Sequence, residues 1–151
     1  MKILTVDKIR EADAYTIKNE PIDSTDLMER AASQCYKWIR TRTEGSQAVK
    51  VVAGPGNNGG DGLVIARLLA SKTYKVQVFI LRFTDKTSDD FSVNLERLKK
   101  MNKVEVTDIH DGDPLPEINP DDLVIDAIFG SGLTRPVKGW IAKVVEHINK
   151  S

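Results

Sequence analysis

One cysteine in 151 residues, Cys35, excludes an intramolecular disulfide. Stability must come from a packed core, and a domain of this length buries about 68–70% of the surface its unfolded chain exposes. That suffices without bridges or a structural metal. Cys35 itself sits at helical spacing among apolar neighbours and is expected to be a buried small hydrophobe, not a nucleophile. An excess of either charge is also lacking: Lys plus Arg equals Asp plus Glu at 22 each. No global field draws the chain to nucleic acid or an anionic membrane, so any phosphate must be held by local groups. Long hydrophobic runs are lacking too, since none approaches the ~18 residues of a membrane span. The start, MKILTVDKIREADAY, turns charged after five residues, and nothing in it reads as a signal, anchor or transit peptide. The expectation is a soluble, cytoplasmic protein with no membrane partner. Repeats and low-complexity tracts are absent.

What is present divides at Gly45. Before it, two helices are predicted, over 6 to 18 and from 24–26 to about 42, separated by Asn19-Glu20-Pro21. In the second, Leu27, Met28, Ala31, Ala32, Cys35, Trp38 and Ile39 recur at three and four residues as a core-facing stripe. After it, short apolar strands at 49–53, 75–81, 103–106 and 122–129 alternate with helices, a pattern that favours parallel strands and right-handed crossovers. Ser88 is a candidate cap for the helix that follows, with Asp89 and Asp90 in its first turn and Lys99 and Lys100 in its last. Residues 107–121 form an acidic, proline-broken connection, read as solvated surface. Residues 139–149 read as a crossover helix, which should deliver the chain to a further parallel strand. None follows, so a domain lacking its C-terminal strands is expected.

Residues 51–70, VVAGPGNNGGDGLVIARLLA, carry G-x-G-x-x-G at Gly54, Gly56 and Gly59. A Walker A loop is excluded because Gly60 and Asp61 stand where Lys and Ser/Thr belong, and a carboxylate there repels phosphate. The dinucleotide fingerprint matches literally but fails on register if the helix begins at Gly62, because its third glycine should lie inside the helix. Asp85, near the end of the second strand, occupies a place where a ribose-binding acid can sit. Glycines at 54, 56, 59, 60 and 62 permit positive φ and close ligand approach, and N–H groups at a helix start bind anions. Asn57 and Asn58 add amide oxygens suited to a hard cation. A bare strand-to-helix turn capped by Asp61 would need one or two glycines, not five.

The last predicted strand runs into VIDAIFGSGLTRPVKG, residues 124–139. It sets Asp126 within an apolar run, where a buried carboxylate costs several kcal/mol unless paired or metal-bound. A second glycine turn, Gly130-Ser131-Gly132, follows, and then Arg135 and Lys138 as local cations for a phosphate.

GPGNNGGDGLVIARLL and VIDAIFGSGLTRPVKG resemble the two signature loops of the NAD(P)H-hydrate epimerase family, the YjeF N-terminal domain, and LMERAA at 27–32 resembles its N-terminal helix. The resemblance spans nearly the whole chain. It implies an α/β fold, a three-layer αβα Rossmann-like sandwich with a mostly parallel sheet preceded by two N-terminal helices, and a homodimer. It implies interconversion of the R and S epimers of hydrated NADH and NADPH and, in bacteria, fusion to an ADP- or ATP-dependent dehydratase. Substrate contacts are implied for Asn57, Asn58, Gly59, Gly60 and Asp61, and for Gly130, Ser131, Gly132, Leu133, Thr134, Arg135 and Pro136. A potassium ion is implied on Asn58 and Asp126, which would also compensate that carboxylate. The family pattern continues into a D-x-P-S-G turn that these 151 residues do not contain. Asp61, Asp126 and the aspartate of that turn are the acid–base candidates, and the sequence does not choose among them. Two rivals stay open: an NAD(P)-dependent Rossmann oxidoreductase, and a non-catalytic nucleotide-binding or scaffold domain of the same fold.

Overall fold

The computed structural model describes residues 4–151. Among them the order is α1 (Val6–Asn19), α2 (Ser24–Arg40), β1 (Ala48–Ala53), α3 (Asn57–Ala70), β2 (Lys75–Leu81), α4 (Asp89–Lys100), β3 (Glu105–Ile109), β4 (Leu123–Ala127) and α5 (Gly139–Ile148). The strands form one sheet in the order β3-β2-β1-β4, every pair parallel. One face carries the larger apolar cluster, in which Val51, Val78 and Ile80 pack against α2, α3 and α4. The other joins Val52, Phe79 and Leu81 to Ile141 and Val144 of α5. Three layers and a Rossmann-like α/β fold result, as the alternation of strands and helices predicts.

Strand β2 matches its expected span, because it is paired on both sides and Val76 and Val78 to Leu81 read as the apolar signal of a buried strand. β3 lies further along than 103–106: Asn102, at φ 51°, turns the chain out of α4, and pairing with β2 starts at Glu105 opposite Gln77. The largest displacement is at α3, which begins at Asn57, five residues before the predicted start. Low helix propensity at Asn and Gly suggested a loop, and tertiary packing overrides it.

The apolar stripe of α2 is only half buried. Met28, Ala32 and Ile39 face the core, whereas Cys35 is exposed and Trp38 lies outside under the Arg42 guanidinium, 4.1 Å from the ring centre. The buried line runs at i, i+4, i+11, and the other apolar positions fall on its flank. The expectation of a buried Cys35 is therefore not met.

Ser88 caps α4 as expected, its hydroxyl accepting from the Phe91 N–H at 3.2 Å. Ser88→Ala should lower the unfolding free energy by about 1 kcal/mol, visible as a lower urea midpoint at unchanged slope. No helix among the described residues is long and apolar enough to cross a membrane.

Candidate functional site

The chain leaves β1 through α3 to β2 on one side, whereas β4 pairs with β1 on the other, so the strand order reverses beside β1. In a parallel sheet the ligand crevice lies beyond the carboxyl ends of the strands at such a point. A cleft of about 830 Å³ opens there. Asn57, Asn58 and Asp61 of α3 line it, together with the turn from Gly130 through Ser131, Gly132, Leu133 and Thr134 to Arg135. The two loops singled out in the sequence therefore meet. Gly59 and Gly60 are buried inside α3, and Pro136 is not part of the lining.

The glycines act by close packing. Among the described glycines only Gly112 and Gly139 have positive φ, so left-handed backbone does not explain the five in the loop. A Cβ on Gly54 would sit 2.1 Å from the Ile128 carbonyl oxygen, and one on Gly59 1.8 Å from that of Gly54. On Gly62 it would meet Ala127 Cβ at 2.5 Å. The first turns of α3 are thus pressed against the ends of β1 and β4, which only residues without side chains allow. Gly59 lies inside the helix, where the dinucleotide fingerprint requires its third glycine. The register objection to that fingerprint falls away.

Asp61 is not the N-cap. That position is Gly56, no side chain caps the helix, and its first internal bond runs from Gly60 N–H to Gly56 O. By helix geometry the N–H groups of Asn57, Asn58 and Gly59 have no partner within α3, which suits an anion. Asp61, in the second turn, is partly buried in the cleft wall. Desolvation, then the neighbouring carboxylates Asp90 and Asp13, push its pKa from 3.8 up to about 6. Asp90 is itself held by Ser24 Oγ at 2.9 Å and Thr25 Oγ1 at 2.7 Å. A cleft carboxyl titrating near neutrality can both give and take a proton.

Asp126 departs from expectation. Among the described residues β4 pairs with β1 alone and the side chain is exposed; its Oδ1 accepts from the Ile128 N–H at 2.9 Å. Asn58 donates from Nδ2 to the Phe129 carbonyl at 3.0 Å, which leaves its Oδ1 as an acceptor. Asn58, Asp61 and Asp126 share a second cavity of about 230 Å³ behind the first turns of α3. An amide oxygen and a carboxylate on one small cavity form an all-oxygen donor set compatible with a hard cation. No cluster of three or more His, Cys, Asp or Glu that could hold a metal occurs among the described residues.

Several lining residues were not legible beforehand. Val6, Ile9, Arg10 and Asp13 come from α1, which buries none of its own residues, and nothing in its sequence says where it docks. Phe83, Lys86, Thr87 and Ser88 follow β2. Their signal was available, since the carboxyl end of a parallel strand is where ligands bind. Lys138 is the N-cap of α5 and does not line the cleft.

Comparison with known proteins agrees with this geometry. The family model described as YjeF-related protein N-terminus matches residues 24–151. The chain is 39% identical to the bifunctional NAD(P)H-hydrate repair enzyme Nnr of Thermofilum pendens, over 100% of this chain and 29% of that protein. It is 38% identical to the NAD(P)H-hydrate epimerase of Oenococcus oeni, over 92% of this chain and 64% of that protein. The crystal structure of yeast ynu0, YNL200c, superposes with a TM-score of 0.80 at 28% identity, covering 99% of this chain and 65% of that one. The chain thus spans less than two thirds of the length of these relatives.

Proposed function

The chain belongs to the YjeF-related N-terminal family, and on that premise we propose that it serves an isomerase that interconverts the R and S epimers of hydrated NADH and NADPH. The observation that carries the reading is the meeting of Asn57, Asn58, Asp61 and the Gly130–Arg135 turn in one cleft. Relatives named as epimerases support it. The diphosphate of the substrate would lie against the open N–H groups of α3, with Arg135 as a neighbouring cation.

In the hydrated ring the hydroxyl stands on a carbon next to the ring nitrogen. Asp61, in its acid form, protonates that hydroxyl. The nitrogen lone pair then expels water and leaves an iminium-like cation. Water adds to the opposite face, its extra proton returns to the carboxylate directly or through cleft water, and the neutral ring is restored as the other epimer. Such acid–base assistance is worth about 10²–10⁴-fold.

Asn58 and Asp126 would hold a potassium ion. When bound it would supply a fixed positive charge to the small cavity that Asn58 and Asp126 share. The same proposal includes a second copy of the chain as partner, and a dehydratase activity alongside the epimerase, for which the bifunctional relatives argue.

The full-length protein, given the R epimer and potassium, is expected to produce the S epimer at least about 10²-fold faster than the spontaneous reaction, followed by chromatographic separation of the epimers. Conversion at the spontaneous rate would overturn the reading. Reduction of NAD⁺ or NADP⁺ by an alcohol in the same preparation would favour the oxidoreductase, which the restored fingerprint register makes a fair competitor. Asp61 in the cleft wall argues for proton transfer.

A further inference from the structure

We infer that Lys86 selects the phosphorylated substrate, the hydrate of NADPH over that of NADH. The inference rests on the epimerase reading for the identity of the dinucleotide. With the diphosphate at the N-terminus of α3, the ribose of the adenosine half lies over the end of the next strand, β2. An acid at that place binds the 2′-hydroxyl of an unphosphorylated ribose, whereas a nearby cation accommodates a 2′-phosphate.

Three charged residues follow β2 closely: Arg82, Asp85 and Lys86. Arg82 is engaged elsewhere, its Nε donating to Asp108 Oδ1 on β3 at 2.7 Å. Asp85, in the position of a ribose-binding acid, does not line the cleft. Lys86 does, beside Thr87 and Ser88. Its side chain is exposed and makes no ion pair among the described residues. The carboxylates that line the cleft, Asp13 and Asp61, come from α1 and α3, so the β2 side presents a cation and hydroxyls without an acid. Phe83, packed at a tilt of 36° against Phe129 with ring centres 5.5 Å apart, joins that side to the loop after β4. A dianionic phosphate is matched there, and a bare ribose hydroxyl finds no carboxylate acceptor.

The test compares wild type, Lys86→Glu and Lys86→Arg as full-length proteins. Turnover of the two R epimers is measured in parallel with titrations of NADP⁺ and NAD⁺. Wild type should prefer the phosphorylated member of each pair. Lys86→Glu should lower the ratio of kcat/KM for the NADPH hydrate over the NADH hydrate by about 10- to 100-fold, the size of one lost charge-assisted hydrogen bond, and shift the binding ratio alike. Lys86→Arg should retain both ratios. Ratios unchanged by Lys86→Glu overturn the inference. If neither hydrate is turned over, the epimerase reading fails by itself and the binding ratio still decides on Lys86. Binding of neither dinucleotide sinks both.

Discussion

Asp61→Asn is expected to lose about 10²–10⁴-fold in epimerisation while melting at a higher temperature than wild type at pH 7 to 8. The two effects have one cause. The Asp61 carboxyl is desolvated in the cleft wall and faces Asp90 and Asp13, so its ionised form is disfavoured in the fold and its pKa rises from 3.8 to about 6. An amide of the same shape removes that penalty and with it the proton donor. The folded pKa lies above the unfolded one, so the folded state holds its proton longer as pH rises. Below the unfolded pKa both states are protonated and no penalty exists; it grows between about pH 4 and 6 and is complete above 6. The stability gap between Asp61→Asn and wild type should therefore be absent near pH 4 and open through that window. Solvent reaches part of this cleft, so of order 1 kcal/mol is the expected plateau. If Asp61 acts first as an acid, kcat/KM of wild type should also fall as pH rises past about 6. Calorimetric scans and rate profiles across pH 4 to 8 check both limbs. A variant that is inactive but no more stable at pH 8 would mean that Asp61 positions the loop and carries no burdened charge.

Legibility of the chain followed the locality of each cause. β2 was readable to the residue, because Val76 and the run from Val78 to Leu81 stand out as apolar in a strand flanked on both sides. Ser88 was readable as a cap, because capping acts over three residues. The two signature loops were readable as a site, and they do converge on one cleft. The failures concern long-range contacts. Asp126 reads as buried if β4 has a strand on each side, whereas among the described residues it pairs with β1 alone. Cys35 and Trp38 share the helical spacing of Met28 and Ile39, yet lie outside, because spacing gives a face and not what covers it. Arg10 and Asp13 reach the cleft from a helix whose docking is not encoded nearby. α3 starts earlier than its composition predicts for the same reason: its glycines read as loop residues, and their neighbours Gly54, Met28 and Ala127 are distant in sequence or not legible from it.

Gly59→Ala is expected to destabilise the protein by about 3 kcal/mol or more, the upper end of overpacking effects. The sign is not given by the helix alone. Gly59 lies within α3, where replacing glycine by alanine would by propensity gain up to about 1 kcal/mol. Against that gain stands a Cβ 1.8 Å from the Gly54 carbonyl oxygen and 2.9 Å from its carbon, with Phe91 Cδ2 at 3.2 Å behind. Carbonyl and helix are both backbone, and the Gly54 N–H is tied to the Ala127 carbonyl at 3.0 Å, so the nose of α3 would have to lift from β1 and β4. Two neighbours calibrate the argument. At Gly60 the closest atom is Met28 Sδ at 2.8 Å, in a flexible side chain that can swing aside, so Gly60→Ala should cost less. At Gly56 nothing lies within 4 Å and φ is −96°, so Gly56→Ala should stay within about 1 kcal/mol, the difference between glycine and alanine as an N-cap. Denaturant midpoints of the three variants should rank Gly59 far below Gly60, and Gly60 below Gly56. Equal losses at all three would mean that the loop needs glycine for backbone freedom; the graded series would mean that it needs room for α3 to touch the sheet, which is what sets Asn57, Asn58 and Asp61 at the edge of the cleft.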